Sequence, residues 1–241
     1  MLKTTKRLIA KISLLLYNLS MLFYLTNYNL PGLEMLMLVL AYLIAVVFAL
    51  VMHELSHGLV AYWCGDKTAK KEGRLSINPF KHLDLWGSLS FLFVGFGWAK
   101  PVPINPMNFR NYKKSMALVS VSGVITNLVI AFLFVPLFIL CSGFFASTNL
   151  FFVFLHYLTM FSVTINISLA VFNLLPVPPL DGFNLLSIWT KYGNKFVNFL
   201  SQAGIFFLLL FILPIFGGSS ILSLFYSHVG TVFLWFWGLF L

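Results

Sequence analysis

A chain of 241 residues that is 60% hydrophobic and only 9% charged cannot clothe a water-soluble globule, because soluble domains carry about 25% charged residues. A mean hydropathy of +0.96 excludes a soluble enzyme and a disordered chain alike, and places much of the surface against lipid. The net charge of +9 is gathered in clusters between apolar runs. That pattern marks the cytoplasmic loops of a membrane protein, not a nucleic-acid surface, so no nucleic-acid partner is expected.

A helix that crosses a bilayer needs about 20 mostly apolar residues. The first candidate, 8–28, is interrupted by Lys11 and Asn18. The second, 33–63, is long and ends at Cys64-Gly65-Asp66. The third, 116–140, follows the basic run Arg110, Lys113 and Lys114. A fourth, 149–174, is stopped by Pro176, Pro178 and Pro179, and 196–216 and 221–241 complete the set. The expectation is an all-α polytopic membrane protein of about six transmembrane helices. The basic start (Lys3, Lys6, Arg7, Lys11) is followed by no small-residue cleavage site, so no cleavable signal peptide is expected. Lys and Arg also crowd 67–114 and recur at Lys191 and Lys195. The positive-inside rule therefore assigns the N-terminus and the 66–114 loop to the cytoplasm. Cys64 and Cys141 fall at opposite faces in this topology and read as small apolar fillers.

Within the 66–114 loop, the stretch 85–99 is apolar but short, and Gly87, Gly95 and Gly97 interrupt it. It reads as a re-entrant or surface-lying segment lining a cavity, since non-helical backbone at membrane depth needs protein or water around it.

The second apolar segment contains His53-Glu54-Leu55-Ser56-His57. On a helix, residues i and i+4 share a face, so both imidazoles reach one metal, and Glu54 can hold and deprotonate an attacking water. Three ionisable groups inside a span are costly, at about 2.5–3.5 kcal/mol each on insertion scales, and mark function. Two histidines leave zinc under-coordinated, so a third protein ligand is needed. After Asp84 the chain holds one further carboxylate, Asp181, in a proline-stiffened apolar stretch. Its alternative reading is an Asp–Gly turn. His82 and Asp84, beside Lys81, read as interfacial and solvated; His156 and His228 read as packing or interfacial residues; Glu34, Asp66 and Glu72 read as solvated span ends.

These residues resemble the site-2 proteases, intramembrane zinc metalloproteases that cut substrate transmembrane segments. The HExxH at 53–57 and Leu180-Asp181-Gly182 look like that family's two zinc-ligating motifs. Residues 73–79, 96–106 and 172–182 are similar to its compact bacterial members, which lack PDZ and CBS domains. The resemblance implies a three-helix catalytic core over 33–190, flanked by an N-terminal helix and loop (1–32) and C-terminal helices (191–241). It implies one Zn2+ per chain held by His53, His57 and Asp181, with Glu54 as catalytic base. Asn127, in Gly123-Val-Ile-Thr-Asn127 with Val124 where the family has proline, matches an asparagine of the family's third core helix. An intramembrane asparagine is expected to hydrogen-bond a neighbour, and binding of substrate or the oxyanion is the alternative reading. The implied partners are membrane-protein substrates and the lipid bilayer, and the implied location is a bacterial plasma membrane with the site nearer the cytoplasm. The loop 73–106, with Ile77, Val102 and Ile104, is a candidate strand edge for an unwound substrate. A metal transporter and a catalytically dead binding relative are the alternative classes, and neither requires Glu54 as a base.

Overall fold

The computed structural model describes residues 32–84, 100–143, 149–178, 180–190, 194–212 and 221–240. The expected first span and the re-entrant stretch 85–99 lie outside these. Among the described residues the regular elements are all helical. Three long helices, α1 (Gly32–Trp63), α3 (Tyr112–Ser142) and α4 (Leu150–Asn173), pack against one another. They are joined by a single turn of helix, α2 (Thr68–Lys71), and by two short 3-10 turns at Pro79–Lys81 and Pro106–Asn108. After them come α5 (Asp181–Trp189), α6 (Lys195–Ile212) and α7 (Ile221–Gly238).

Among the described residues, α1, α3 and α4 are the helices long and apolar enough to cross a membrane. They coincide with the second, third and fourth expected spans to within a few residues. α6 and α7 fall on the fifth and sixth, at 18 residues each. The helix α5, which no expected span covers, begins at Asp181 itself. Asparagines fix two helix starts. The Asn111 side chain accepts from the Lys114 N–H, and that of Asn149 from the Phe151 N–H, satisfying donors that have no partner within the first turn.

Lipid is as apolar as leucine, so helices in it associate through close packing instead of the hydrophobic effect. Accordingly α1 offers a row of small residues, Ala41, Ala45 and Ala49, one turn apart and fully buried. Val153, Tyr157, Phe161, Ile165 and Leu169 of α4 fill that face in one cluster with Leu38, Tyr42 and Val46. Ala131 and Val135 of α3 pack with Val163, Ile167 and Val171 of α4, and α7 covers them with Tyr226, Val229, Phe233 and Trp237. Pro136 lies inside α3 and cannot donate to the Phe132 carbonyl. The Trp237 indole N–H donates to that carbonyl instead, at 2.9 Å, so the backbone group freed by the proline is paired.

The loop after α1 is tied down by a residue expected in solvent. Asp66 is 1% exposed. Its Oδ1 accepts from the Thr68 N–H, the Thr68 hydroxyl and the Asn108 amide, and its Oδ2 from the Asn105 N–H at 2.7 Å. Gly65, at φ +112°, makes the turn that aims it, and the Arg110 N–H closes back on the Cys64 carbonyl. His82, also expected in solvent, is likewise buried, with Nε2 bonded to the Ser76 carbonyl. The Lys100 N–H donates to the His82 carbonyl at 2.6 Å. Apart from an isolated bridge at Leu83, the described parts of 73–106 form no strand.

Candidate metal centre

α1 carries His53 and His57 one turn apart on its buried face. The two Nε2 atoms are 3.1 Å apart. Asp181 Oδ2 lies 3.3 Å from the first and 3.2 Å from the second. The three ligand candidates read from the sequence thus meet in space, with more than 120 residues between the second histidine and the acid. Among the described residues this is the group of His, Cys, Asp and Glu side chains arranged to hold a metal ion.

Two glycines allow the assembly. α3 crosses α1 at Gly123, where a methyl group would stand 2.4 Å from His53 Cε1 and 2.7 Å from His57 Nε2. Gly182 lets the start of α5 press against the end of α4; a methyl group there would stand 2.2 Å from the Leu174 carbonyl oxygen. The glycine of the Leu180-Asp181-Gly182 motif therefore seats the backbone that delivers the carboxylate. Val124, in place of proline, leaves α3 continuous through Asn127.

The outer nitrogens fix the tautomers. His57 Nδ1 faces the Val119 carbonyl at 2.7 Å, an atom that only accepts, so Nδ1 carries the proton. His53 Nδ1 faces Asn127 Oδ1 at 3.2 Å. Ser122 supports the first contact, its hydroxyl donating to the Val119 carbonyl and lying 3.2 Å from His57 Nδ1. With both protons on Nδ1, the two Nε2 lone pairs and a carboxylate oxygen converge with no hydrogen between them. Oδ2 of Asp181 has no hydrogen-bond donor of its own. Three electron-pair donors left facing one another in a buried site call for a cation. The spacing suits zinc: ligands about 2.0–2.1 Å from a tetrahedral ion stand about 3.3–3.4 Å apart. The imidazole–carboxylate donor set agrees.

The remaining candidates divide. Glu54 is half-buried, and its Oε2 accepts from the Val102 N–H at 2.9 Å. Asn127 is fully buried against His53, and among the described residues its Nδ2 has no partner. His156 packs among Phe138 and Tyr157 as expected, away from the site. Sequence reasoning misses the Val119 carbonyl and the Val102 N–H, which no side-chain pattern could reveal. It also misses Ser122, which stands at no same-face helical spacing from Gly123 or Asn127.

Comparison with known proteins agrees. The family model described as Peptidase family M50 matches residues 146–211, the stretch that contains Asp181. Two curated relatives carry the name "Putative zinc metalloprotease". One is YwhC of Bacillus subtilis (strain 168), 38% identical over 191 residues, which span 74% of this chain and 82% of that protein. The chain belongs to peptidase family M50, the site-2 proteases. The other relative, MJ0611 of Methanocaldococcus jannaschii, is 27% identical over 180 residues, covering 72% of this M50 peptidase and 84% of its own length. No solved structure matches.

Proposed function

We propose that this M50 peptidase is an intramembrane zinc endopeptidase that hydrolyses peptide bonds in or beside the transmembrane segments of other membrane proteins. The observation that carries the reading is the convergence of His53, His57 and Asp181 on the buried face of an apolar helix. His53 lies ten residues before the end of α1, about 15 Å at 1.5 Å per residue. That depth supports a scissile bond within the bilayer, nearer the face that bears the 66–114 loop. The Lys and Arg of that loop assign it to the cytoplasm and fit a bacterial plasma membrane.

His53, His57 and Asp181 would hold the zinc. When bound, zinc supplies Lewis acidity that brings a water's ionisation near neutrality and polarises a carbonyl. Val119, Ser122 and Asn127 keep the imidazoles in the ligating tautomer. Glu54, next to His53, accepts the proton of the attacking water through the oxygen that Val102 leaves free, and returns it to the leaving amine. Asn127 Nδ2 is the donor available to a substrate carbonyl.

The test is zinc content measured beside cleavage of a single-span substrate in detergent. Glu54→Gln should keep its zinc and lose cleavage, and Asp181→Ala should lose both. A Glu54→Gln enzyme that cleaves like wild type would refute the base. Zinc flux into proteoliposomes, undiminished in Glu54→Gln, would favour a transporter.

A further inference from the structure

Arg74 is buried at 6% exposure, yet among the described residues no carboxylate pairs with it. A cation taken out of water without a counter-charge is costly unless it is spent on specific acceptors. Its Nη2 donates to two successive carbonyls, Lys100 at 2.7 Å and Pro101 at 3.2 Å. The next N–H in the chain, that of Val102, donates to Glu54 Oε2. Pro101 and Pro103 bracket Val102, so its N–H is the single donor of that tripeptide, and both prolines stiffen its presentation.

Two further features point the same way. Gly73, at φ +64°, ends α2 and turns the chain so that Arg74 follows with its own N–H on the Ala69 carbonyl. Gly58 lies one turn after Glu54 on α1, and a methyl group there would stand 2.7 Å from Leu75 Cδ2 and 2.9 Å from Val102 Cγ1. The loop therefore rests on α1 at a glycine, with the Val102 side chain on Gly58 and its N–H on Glu54.

We propose that Arg74 is a positioning residue for Glu54: by fixing the Lys100 and Pro101 carbonyls it sets the Val102 N–H, which holds one carboxylate oxygen and leaves the other aimed at the attacking water. This rests on the role given to Glu54 above. An Arg suits the task because one nitrogen of its rigid fork reaches both carbonyls, whereas an ammonium on a flexible stem holds them less firmly.

The experiment compares wild type, Arg74→Ala, Arg74→Lys, Gly58→Ala and Glu54→Gln for zinc content, kcat and KM on a single-span substrate. It adds hydrogen exchange resolved at the Val102 and Asn105 amides. Arg74→Ala should lose about 10- to 100-fold in kcat, the scale of an ångström's misplacement, with KM and zinc content near wild type and partial recovery in Arg74→Lys. Exchange should accelerate at Val102 but not at Asn105, which Asp66 holds independently. Gly58→Ala, which lifts the loop without touching Arg74, should show the same kcat-selective loss. An Arg74→Ala enzyme with unchanged or raised kcat, or with unchanged Val102 exchange, overturns the proposal. So does a loss that falls on zinc content in both Arg74→Ala and Gly58→Ala. If Glu54→Gln cleaves like wild type, the base itself is wrong and the inference falls with it; if Glu54→Gln is inactive, failure of the Arg74 and Gly58 variants refutes the positioning role alone.

Discussion

Gly123→Ala is the sharpest perturbation the site allows, since it adds one methyl group and no charge. That methyl would stand 2.4 Å from His53 Cε1, 2.7 Å from His53 Nδ1 and 2.7 Å from His57 Nε2, against an ordinary contact of 3.4–4 Å. Relief requires a displacement of about 1 Å by groups that cannot yield cheaply. His53 is held by Asn127, His57 by Val119, and each change of angle breaks one of those bonds. Overpacking a close-packed interior costs about 1–3 kcal/mol, and disturbing the outer partners of metal-binding histidines costs about 10- to 100-fold in affinity. The expected result is a folded protein with zinc affinity lowered by about that factor, and cleavage lowered at least as much. Zinc retention is read by elemental analysis after dialysis against graded chelator, with circular dichroism to confirm helix content. Gly230→Ala is the control: its methyl would meet only Ile167 Cδ1 at 4.0 Å, and alanine is the better helix former by about 1 kcal/mol. If Gly123→Ala keeps its zinc at the same chelator concentration as wild type and cleaves equally well, the packing argument for the site is refuted.

Asp66 gives a prediction in pH. Burial pushes its carboxyl up, but hydrogen bonds from Asn108 and Thr68 and from the Asn105 N–H outweigh it and hold the group below the ordinary carboxylate value. A folded-state pKa below the unfolded one means stability present above the unfolded value, about 3.9, and lost as pH falls through the folded one. Asp66→Asn should therefore cost about 2–4 kcal/mol near neutrality, where charged hydrogen bonds and their stranded donors are at stake, and the gap in melting temperature should close below about pH 4. An equal gap at both ends of that range would exclude the charge as the cause. Pro136 and Trp237 give a prediction in coupling. Trp237→Phe strands the Phe132 carbonyl and should cost about 1–3 kcal/mol in detergent unfolding. In a Pro136→Ala background, where the helix supplies its own donor, the cost should shrink by about 1 kcal/mol; additive costs would show the indole bond to be idle.

Legibility in the sequence follows the physics of each signal. The long helices announce themselves by apolar length, because that signal is local. His53 and His57 are legible because helical geometry alone puts residues four apart on one face. Asp181 is legible because a carboxylate in apolar surroundings needs a cation or strong donors to offset its burial. The errors share a cause. Charged residues near span ends usually face water, which points Asp66 and His82 to solvent, but here donors from Asn105 and Asn108 arrive about 40 residues later and bury the carboxylate. α5 is too short to show by apolar length, and its available signal is the acid in its first turn.

Backbone groups are the least legible of all. The loop that bears the Val102 N–H reads as an edge for a substrate strand, and the structure gives that N–H to Glu54, on a helix 48 residues away. Side-chain patterns carry no information about which amide a carboxylate will find. What the sequence does record is the room that such an approach needs. Gly58, Gly123 and Gly182 each sit where a methyl group would come within 3 Å of a neighbour: the loop that holds Glu54, the imidazoles, and the backbone beneath Asp181. Together the three glycines let the loop and α3 close on α1, and α5 on the end of α4. The functional geometry is thus written as much in missing side chains as in the residues arranged to hold a metal.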